Sequence, residues 1–396
     1  MRDLSFSGSV HIFPAPVKSL NGLTPKKTWF PGLNGLRFFA AFLVVIMHIH
    51  NNMGVSGLPQ LPAWPILFKG LTAVSFFFEL SGFLITYLLL KEYKQSHTIQ
   101  IKSFYLRRVF RIWPLYFIVV LSGLLFYWKI VPALHLPFEN NYNLGAAVLL
   151  YLFFLANLMN SYFHVGGMLH ITWSIAVEEQ FYLFWAPLVK RFHKRIPLLI
   201  GTVTILSLIL HSLNTLNVFH YSKEMQAFIG TLQFHYMGFG AAFAWALVNG
   251  KKRLLENSFF TNRILQAVVV MLLAAYLLFY MKTKTGDLIS PIPLALIFGW
   301  LIITVSTSGR TWISFENRVL NYLGKISYGI YMFHMPVVYA VSFIFRRYGY
   351  LSAGFFYFPL FYTAVFAIAV GIASFSYFYI EKPILKLNTA PLKIQN

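Results

Sequence analysis

Leu33-Asn-Gly-Leu-Arg37-Phe-Phe-Ala-Ala-Phe-Leu-Val-Val-Ile-Met-His48 decides the fold class. It is apolar except at a few points and continues to about residue 52, close to the ~20 residues a helix needs to cross a bilayer. Working outward, further apolar segments lie at about 70–90, 111–128, 144–160, 171–189, 197–216, 228–248, 264–281, 289–307, 326–345 and 354–380. They lack the alternation of membrane-barrel strands. Composition agrees: of 396 residues, 58% are hydrophobic and only 11% charged, against about 25% charged in soluble proteins. This excludes a soluble enzyme, a disordered chain and a disulfide-stapled secreted domain. Phe 42, Tyr 23 and Trp 9 suit helices that end among lipid headgroups. With no cysteine, disulfides, thiolate metal sites and a cysteine nucleophile are excluded. The chain reads as an all-α, polytopic transmembrane helix bundle.

A formal net charge of +21 ordinarily suggests nucleic acid. Here the basic residues fall between apolar runs, and 24 of the 32 Lys+Arg lie before Leu33 and in 91–111, 190–196, 249–263, 308–325 and 381–396. With the N-terminus inside, alternate loops obey the positive-inside rule. One conflict arises, because three apolar segments separate the basic stretches 91–111 and 190–196. The shortest, 144–160, leads into Asn157, Asn160 and Gly166-Gly167. It is expected to be re-entrant or buried, where irregular backbone is tolerated. The expected topology is therefore about ten full crossings with both termini cytoplasmic. Residues 1–32 form a cytoplasmic tail, 33–383 the membrane domain and 384–396 a second cytoplasmic tail. The first tail carries Pro14, Pro16, Pro25 and Pro31 and no signal-type apolar core, so no cleavage is expected.

A charge inside a bilayer costs at least ~2.5–3.5 kcal/mol on insertion scales and is a functional candidate by default. Arg37 and His48 are three helical turns apart, so they share a face within about 20° but stand about 16 Å apart along the axis. Arg37 alone is also explained by snorkelling to the inner headgroups, and His48 by capping the helix exit. Arg107, Arg108 and Arg111 stand at helical spacing and form a cationic face at the cytoplasmic start of a membrane helix. Guanidinium forks suit phosphate oxygens, although a plain positive-inside anchor accounts for the same pattern. In Trp173-Ser-Ile-Ala-Val-Glu-Glu-Gln-Phe-Tyr182, residues Ser174, Glu178 and Tyr182 share a face, with Glu179 beside it. A structural ion pair and a catalytic role are both open for these carboxylates. Glu79 sits mid-helix beside Ser81 and Gly82, small residues that permit close helix contact. His235 and His334 are isolated polar points in apolar runs. No metal-ligand pair, phosphate-binding Gly-rich loop or nucleophile elbow occurs, so the metal set is none.

Together these stretches resemble the bacterial acyltransferase family 3, integral-membrane O-acyltransferases that modify cell-surface glycans. Arg37 and His48 match its Arg, ten residues, His motif. Phe77–Thr86 is similar to its Leu-Ser-Gly-Phe-Leu-Ile segment, Tyr105–Tyr116 to its Arg-Arg-x-x-Arg-Ile-x-Pro stretch and Trp173–Tyr182 to its Glu-Glu-Gln-Phe-Tyr stretch. Gly324–Pro336 and Tyr379–Pro383 match its last two signatures, so the likeness runs in order from residue 33 to 383. Glu79 departs from a normally apolar position, and Asn34 replaces a common acidic residue. No hydrolase-like domain follows, so a stand-alone transferase is expected.

The resemblance implies transfer of an acyl group, most often acetyl, from cytoplasmic acetyl-CoA to a hydroxyl of a surface or lipid-linked glycan. It implies the bacterial cytoplasmic (inner) membrane, no permanently bound cofactor and no nucleic acid partner. Arg37, Arg107, Arg108 and Arg111 are expected to dock the CoA phosphates. His48, a neutral imidazole, is expected to act as general base, oriented by Glu178 or Glu179. Trp173, Ser174, Tyr182, His235, Ser327, Tyr328 and His334 are expected around the substrates, with Ser327 and Tyr328 as candidate oxyanion donors. A covalent acyl-enzyme relay is the mechanistic rival. A proton-coupled transporter or flippase using the intramembrane Glu and His residues is the competing class.

Overall fold

The computed structural model describes residues 30–135, 138, 141–256, 258–280, 283–307, 315–348 and 356–387. Most of the two expected tails, residues 1–29 and 388–396, lies outside the described residues. Among the described residues every regular element is helical.

Helix α1 (Leu33–Val55) starts behind Gly32, whose φ of 71° is the left-handed conformation that glycine adopts without strain. The Gly32 N–H donates to the Glu316 carboxylate at 2.6 Å, so the helix entry is tied to a distant loop. Helix α2 (Gly70–Ser96) ends at His97, also left-handed at φ 53°. Helix α3 (Ile101–Leu125) tolerates Pro114 inside and continues through a π turn to Ala133. Three short helices follow: α4 (Leu144–Leu152), α5 (Ala156–Tyr162) and α6 (Gly167–His170). Next come α7 (Trp173–Arg191), α8 (Ile196–Leu216), α9 (Lys223–Thr231) and α10 (Phe234–Glu256). The chain then forms α11 (Arg263–Phe279), α12 (Pro291–Thr307), α13 (Arg318–Lys325), α14 (Ser327–Arg347) and α15 (Tyr357–Ser376). The last helix runs on through a π turn to Leu387. Asn143, Ser222, Asn262 and Asn317 cap α4, α9, α11 and α13 by accepting first-turn N–H groups.

Among the described residues, six helical stretches are long and apolar enough to cross a membrane. Large apolar side chains such as Leu121, Phe184, Leu198, Met271 and Phe375 point outward, a surface suited to lipid rather than water. The protein is a multi-pass membrane protein. Helices α4 and α5, of nine and seven residues, are only about 14 and 10 Å long, well short of a ~30 Å hydrocarbon core. Their stretch returns on itself, because Asn141 Oδ1 accepts the His164 N–H at 2.7 Å.

Glycines set the closest helix crossings. A Cβ at Gly82 of α2 would collide with the Met237 carbonyl oxygen of α10, and one at Gly240 of α10 with the Glu79 carbonyl oxygen. Likewise Gly324 lets α13 lie against Asn34 at the start of α1. A second apolar core, including Val45, Ile49, Val338, Phe361 and Val365, joins α1 to α14 and α15. Residues of α1, α2, α3, α7 and α14 surround one space.

Candidate active site

That space is a cavity of about 100 Å³, lined by Arg37 of α1, Ser81 of α2, Arg108 and Arg111 of α3, Ser174, Glu178 and Tyr182 of α7, and Ser327, Tyr328 and Tyr331 of α14. Apolar side chains, among them Phe77, Leu84 and Ile175, complete the wall. One-turn spacing explains the sets: Arg108 and Arg111 project from one face of α3, and Ser174, Glu178 and Tyr182 from one face of α7. Three guanidinium groups thus meet one lining carboxylate, which leaves the cavity cationic.

The Glu178 carboxylate accepts the Tyr182 hydroxyl at 2.8 Å. It is also hydrogen-bonded to Ser81 and lies within electrostatic reach of Arg37 and Arg108. Glu381, from the turn after α15, acts on both Arg37 and Arg111. The Tyr331 hydroxyl donates to the Ile171 carbonyl at 2.9 Å, so the 2.7 Å contact between Ser174 Oγ and Tyr331 must have serine as donor. Tyr328 donates to the Ile112 carbonyl at 2.9 Å and Ser327 to the Gly324 carbonyl at 2.8 Å. The hydrogens of these two expected oxyanion donors are therefore already committed to backbone. The buried Nε of Arg108, which has no partner, is a donor still available.

Several expected site residues stand elsewhere. Arg107 turns away and pairs with Glu92 at 3.6 Å, since neighbours on a helix point about 100° apart. Glu179 accepts the Trp113 indole N–H at 3.1 Å rather than facing the cavity. Trp173 packs edge-on against Phe78, with ring centroids 5.9 Å apart. His235 is fully buried between α8 and α10, where its Nδ1 lies 3.1 Å from Ser207 Oγ. Glu79 is also fully buried, and neither carboxylate oxygen has a hydrogen-bond partner.

His48 is half-buried and its ring centroid lies 5.0 Å from that of His334, the two rings tilted by 43°. The groups that act on it electrostatically are His334 and His170, not Glu178 or Glu179, which were the expected partners. Tyr331 connects the two parts of the site. Its ring lines the cavity and lies 5.8 Å from the His334 ring. The arginines and the histidines therefore form neighbouring compartments with Tyr331 between them.

Ser81, Tyr331 and Glu381 are not among the site residues expected from sequence, Ser81 standing there only as a small residue at a helix contact. Each lies inside a quoted motif, but nothing in spacing along one helix shows that Glu381 meets arginines of α1 and α3. Among the described residues no group of three or more His, Asp or Glu is arranged to hold a metal. Chemically, the cavity presents three guanidinium groups, donors suited to anionic oxygens, beside an imidazole pair.

Comparison with known proteins adds to this geometry. A family model described as an acyltransferase domain matches residues 30–377. A Staphylococcus aureus (strain COL) protein named "Putative O-acetyltransferase" is 28% identical over 390 residues, covering 91% of this chain and 58% of its own length. The O-acetyltransferase OatA of Staphylococcus aureus (strain NCTC 8325) is 28% identical over 376 residues, covering 90% of this chain and 57% of its own. The chain thus spans less than two thirds of these relatives. No solved structure matches it.

Proposed function

The chain belongs to the acyltransferase family whose domain matches residues 30–377, and from that membership we propose that it is a membrane O-acetyltransferase. Acetyl-CoA enters from the cytoplasmic side, and the acetyl group passes to a hydroxyl of a surface or lipid-linked glycan. The protein sits in the bacterial cytoplasmic membrane with about ten crossings and both termini inside. Side-to-side contacts support that topology. Lys94 of the second helix reaches the Val248 carbonyl at 2.8 Å, and both belong to inner ends in this scheme. Lys69 and Tyr280, joined at 2.8 Å, both belong to outer ends, as do Asn52 and Ser342, also at 2.8 Å.

The observation that carries the proposal is the meeting of Arg37, Arg108 and Arg111 in one buried cavity. Three desolvated guanidinium forks suit the phosphates of CoA, because charge-assisted bonds strengthen where water is excluded. Glu178 and Glu381 hold the forks apart and in register. The pantetheine arm then leads past Tyr331 toward His48, the Ser174–Tyr331 bond opening to admit it. His48 takes the proton of the acceptor hydroxyl as that oxygen bonds to the acyl carbon. The carbon–sulfur bond breaks, and the imidazolium returns the proton to the CoA sulfur. No oxidant or reductant is consumed.

His48→Ala tests the base. Acetyl transfer should fall to background while the variant still inserts and still binds acetyl-CoA. Transfer near the wild-type rate would remove His48 from the mechanism.

A further inference from the structure

His334 is fully buried, and its Nδ1 lies 2.5 Å from the Tyr331 carbonyl oxygen one turn earlier. A carbonyl carries no hydrogen, so Nδ1 must be the donor. In the neutral ring that leaves Nε2 as a bare acceptor, and Nε2 is buried with no hydrogen-bond partner. Leaving such a group unpaired is costly, so it calls for a donor. The ring beside His334 is that of His48, at 5.0 Å between centroids. Tyr331, the other aromatic ring beside it, has its hydroxyl hydrogen committed to the Ile171 carbonyl. His170 of α6 is the remaining titratable group acting on His48.

Resting on the reading of His48 as the base, we propose that His334 is its positioning residue: His334 Nε2 accepts the N–H of His48 through one bridging water. With one nitrogen of His48 held as donor, the other is fixed unprotonated and aimed at the acceptor hydroxyl. When His48 takes the proton, its positive charge is shared with a neutral imidazole rather than a carboxylate. The backbone bond to Tyr331 sets the tautomer of the whole pair. The arrangement performs the orienting task of an acid–histidine pair with no carboxylate next to the base.

The two amide replacements of histidine separate this role from packing. In His334→Asn an amide nitrogen stands near the Nδ1 position and can keep the bond to Tyr331, but nothing occupies the place of Nε2. In His334→Gln an amide reaches the Nε2 position and can accept from His48. The assay is alkali-labile label transferred from radiolabelled acetyl-CoA to envelope glycan, in membranes of a deletion strain complemented with each full-length variant. Expected is a loss of about 100-fold or more in kcat for His334→Asn, with KM for acetyl-CoA within about threefold of wild type. His334→Gln should recover at least tenfold over His334→Asn. If His334→Asn matches or exceeds His334→Gln, the backbone bond alone matters and the positioning role is overturned. His48→Ala in the same assay keeps the outcomes apart. An inactive His48→Ala beside a fully active His334→Asn refutes only the pairing, whereas an active His48→Ala refutes the base itself.

Discussion

Arg107, Arg108 and Arg111 carry the same charge on one helix, yet their surroundings give them different work. Arg108 and Arg111 line the cavity, while Arg107 leans on Glu92 at 3.6 Å. A charge-assisted hydrogen bond is worth about 1.5–3 kcal/mol, or roughly 10- to 100-fold in an equilibrium constant. Arg108→Gln and Arg111→Gln should each raise the KM for acetyl-CoA by that factor with a smaller change in kcat. Arg107→Gln should stay within about twofold, because an ion pair still partly open to solvent contributes little. Steady-state kinetics at varied acetyl-CoA checks all three, and equal effects at 107 and 108 would mean that CoA docks outside the cavity. The sequence made the cationic face visible through helical spacing, but it left the two adjacent arginines equivalent. Which of them turns inward depends on where α1 and α7 pack, and periodicity along α3 carries no such information. The same limit hid Glu381, whose partners are far away in sequence.

At the scale of elements, apolar runs located the helices well because burial in lipid and in the core both demand them. The segment expected at 171–189 became Trp173–Arg191, and that at 197–216 became Ile196–Leu216. Where bounds moved, polarity changed without a helix breaker. Helix α3 begins at Ile101, a decade before its apolar run, since Lys102, Arg107 and Arg108 are good helix formers. The small residues at Ser81 and Gly82 announced a close contact, but its partner α10 came only with the fold. Gly82→Ala should disrupt that crossing, because the new methyl would run into the Met237 carbonyl rather than a side chain able to swing away. A loss of about 1–3 kcal/mol is expected from such overpacking. Gly201→Ala is the control: a Cβ there meets nothing within 4 Å, and alanine favours a helix by up to about 1 kcal/mol. Thermal unfolding in detergent should separate the two, lower for Gly82→Ala and unchanged or higher for Gly201→Ala. A stable Gly82→Ala would mean that α2 and α10 are not held at backbone contact.

For the whole molecule the open quantity is which side each loop faces, and the chain is well suited to the measurement because it contains no cysteine. Single cysteines placed at exposed positions can be labelled with a membrane-impermeant maleimide, first on intact cells and then after permeabilisation. Asn51→Cys and Lys223→Cys should react from outside, while Gln95→Cys and Lys194→Cys should react only once the membrane is opened; all four positions are exposed. The deciding pair is His135→Cys and His164→Cys, which flank the α4–α5 stretch and are also exposed. The bond from the His164 N–H to Asn141 closes that stretch into a hairpin, so both cysteines should label from outside. The charge pattern argues the same way. If the stretch crossed, Lys190, Arg191, Lys194 and Arg195 would move to the outer face, against the bias that orients membrane helices. Arg37 and Arg108 would still share their cavity, because α1 and α3, which carry them, both precede the hairpin. Labelling of His164→Cys from the inside alone would therefore change the crossing count and the face reached by α7 onward, and would leave the docking chemistry of the arginines to be judged separately by their kinetics.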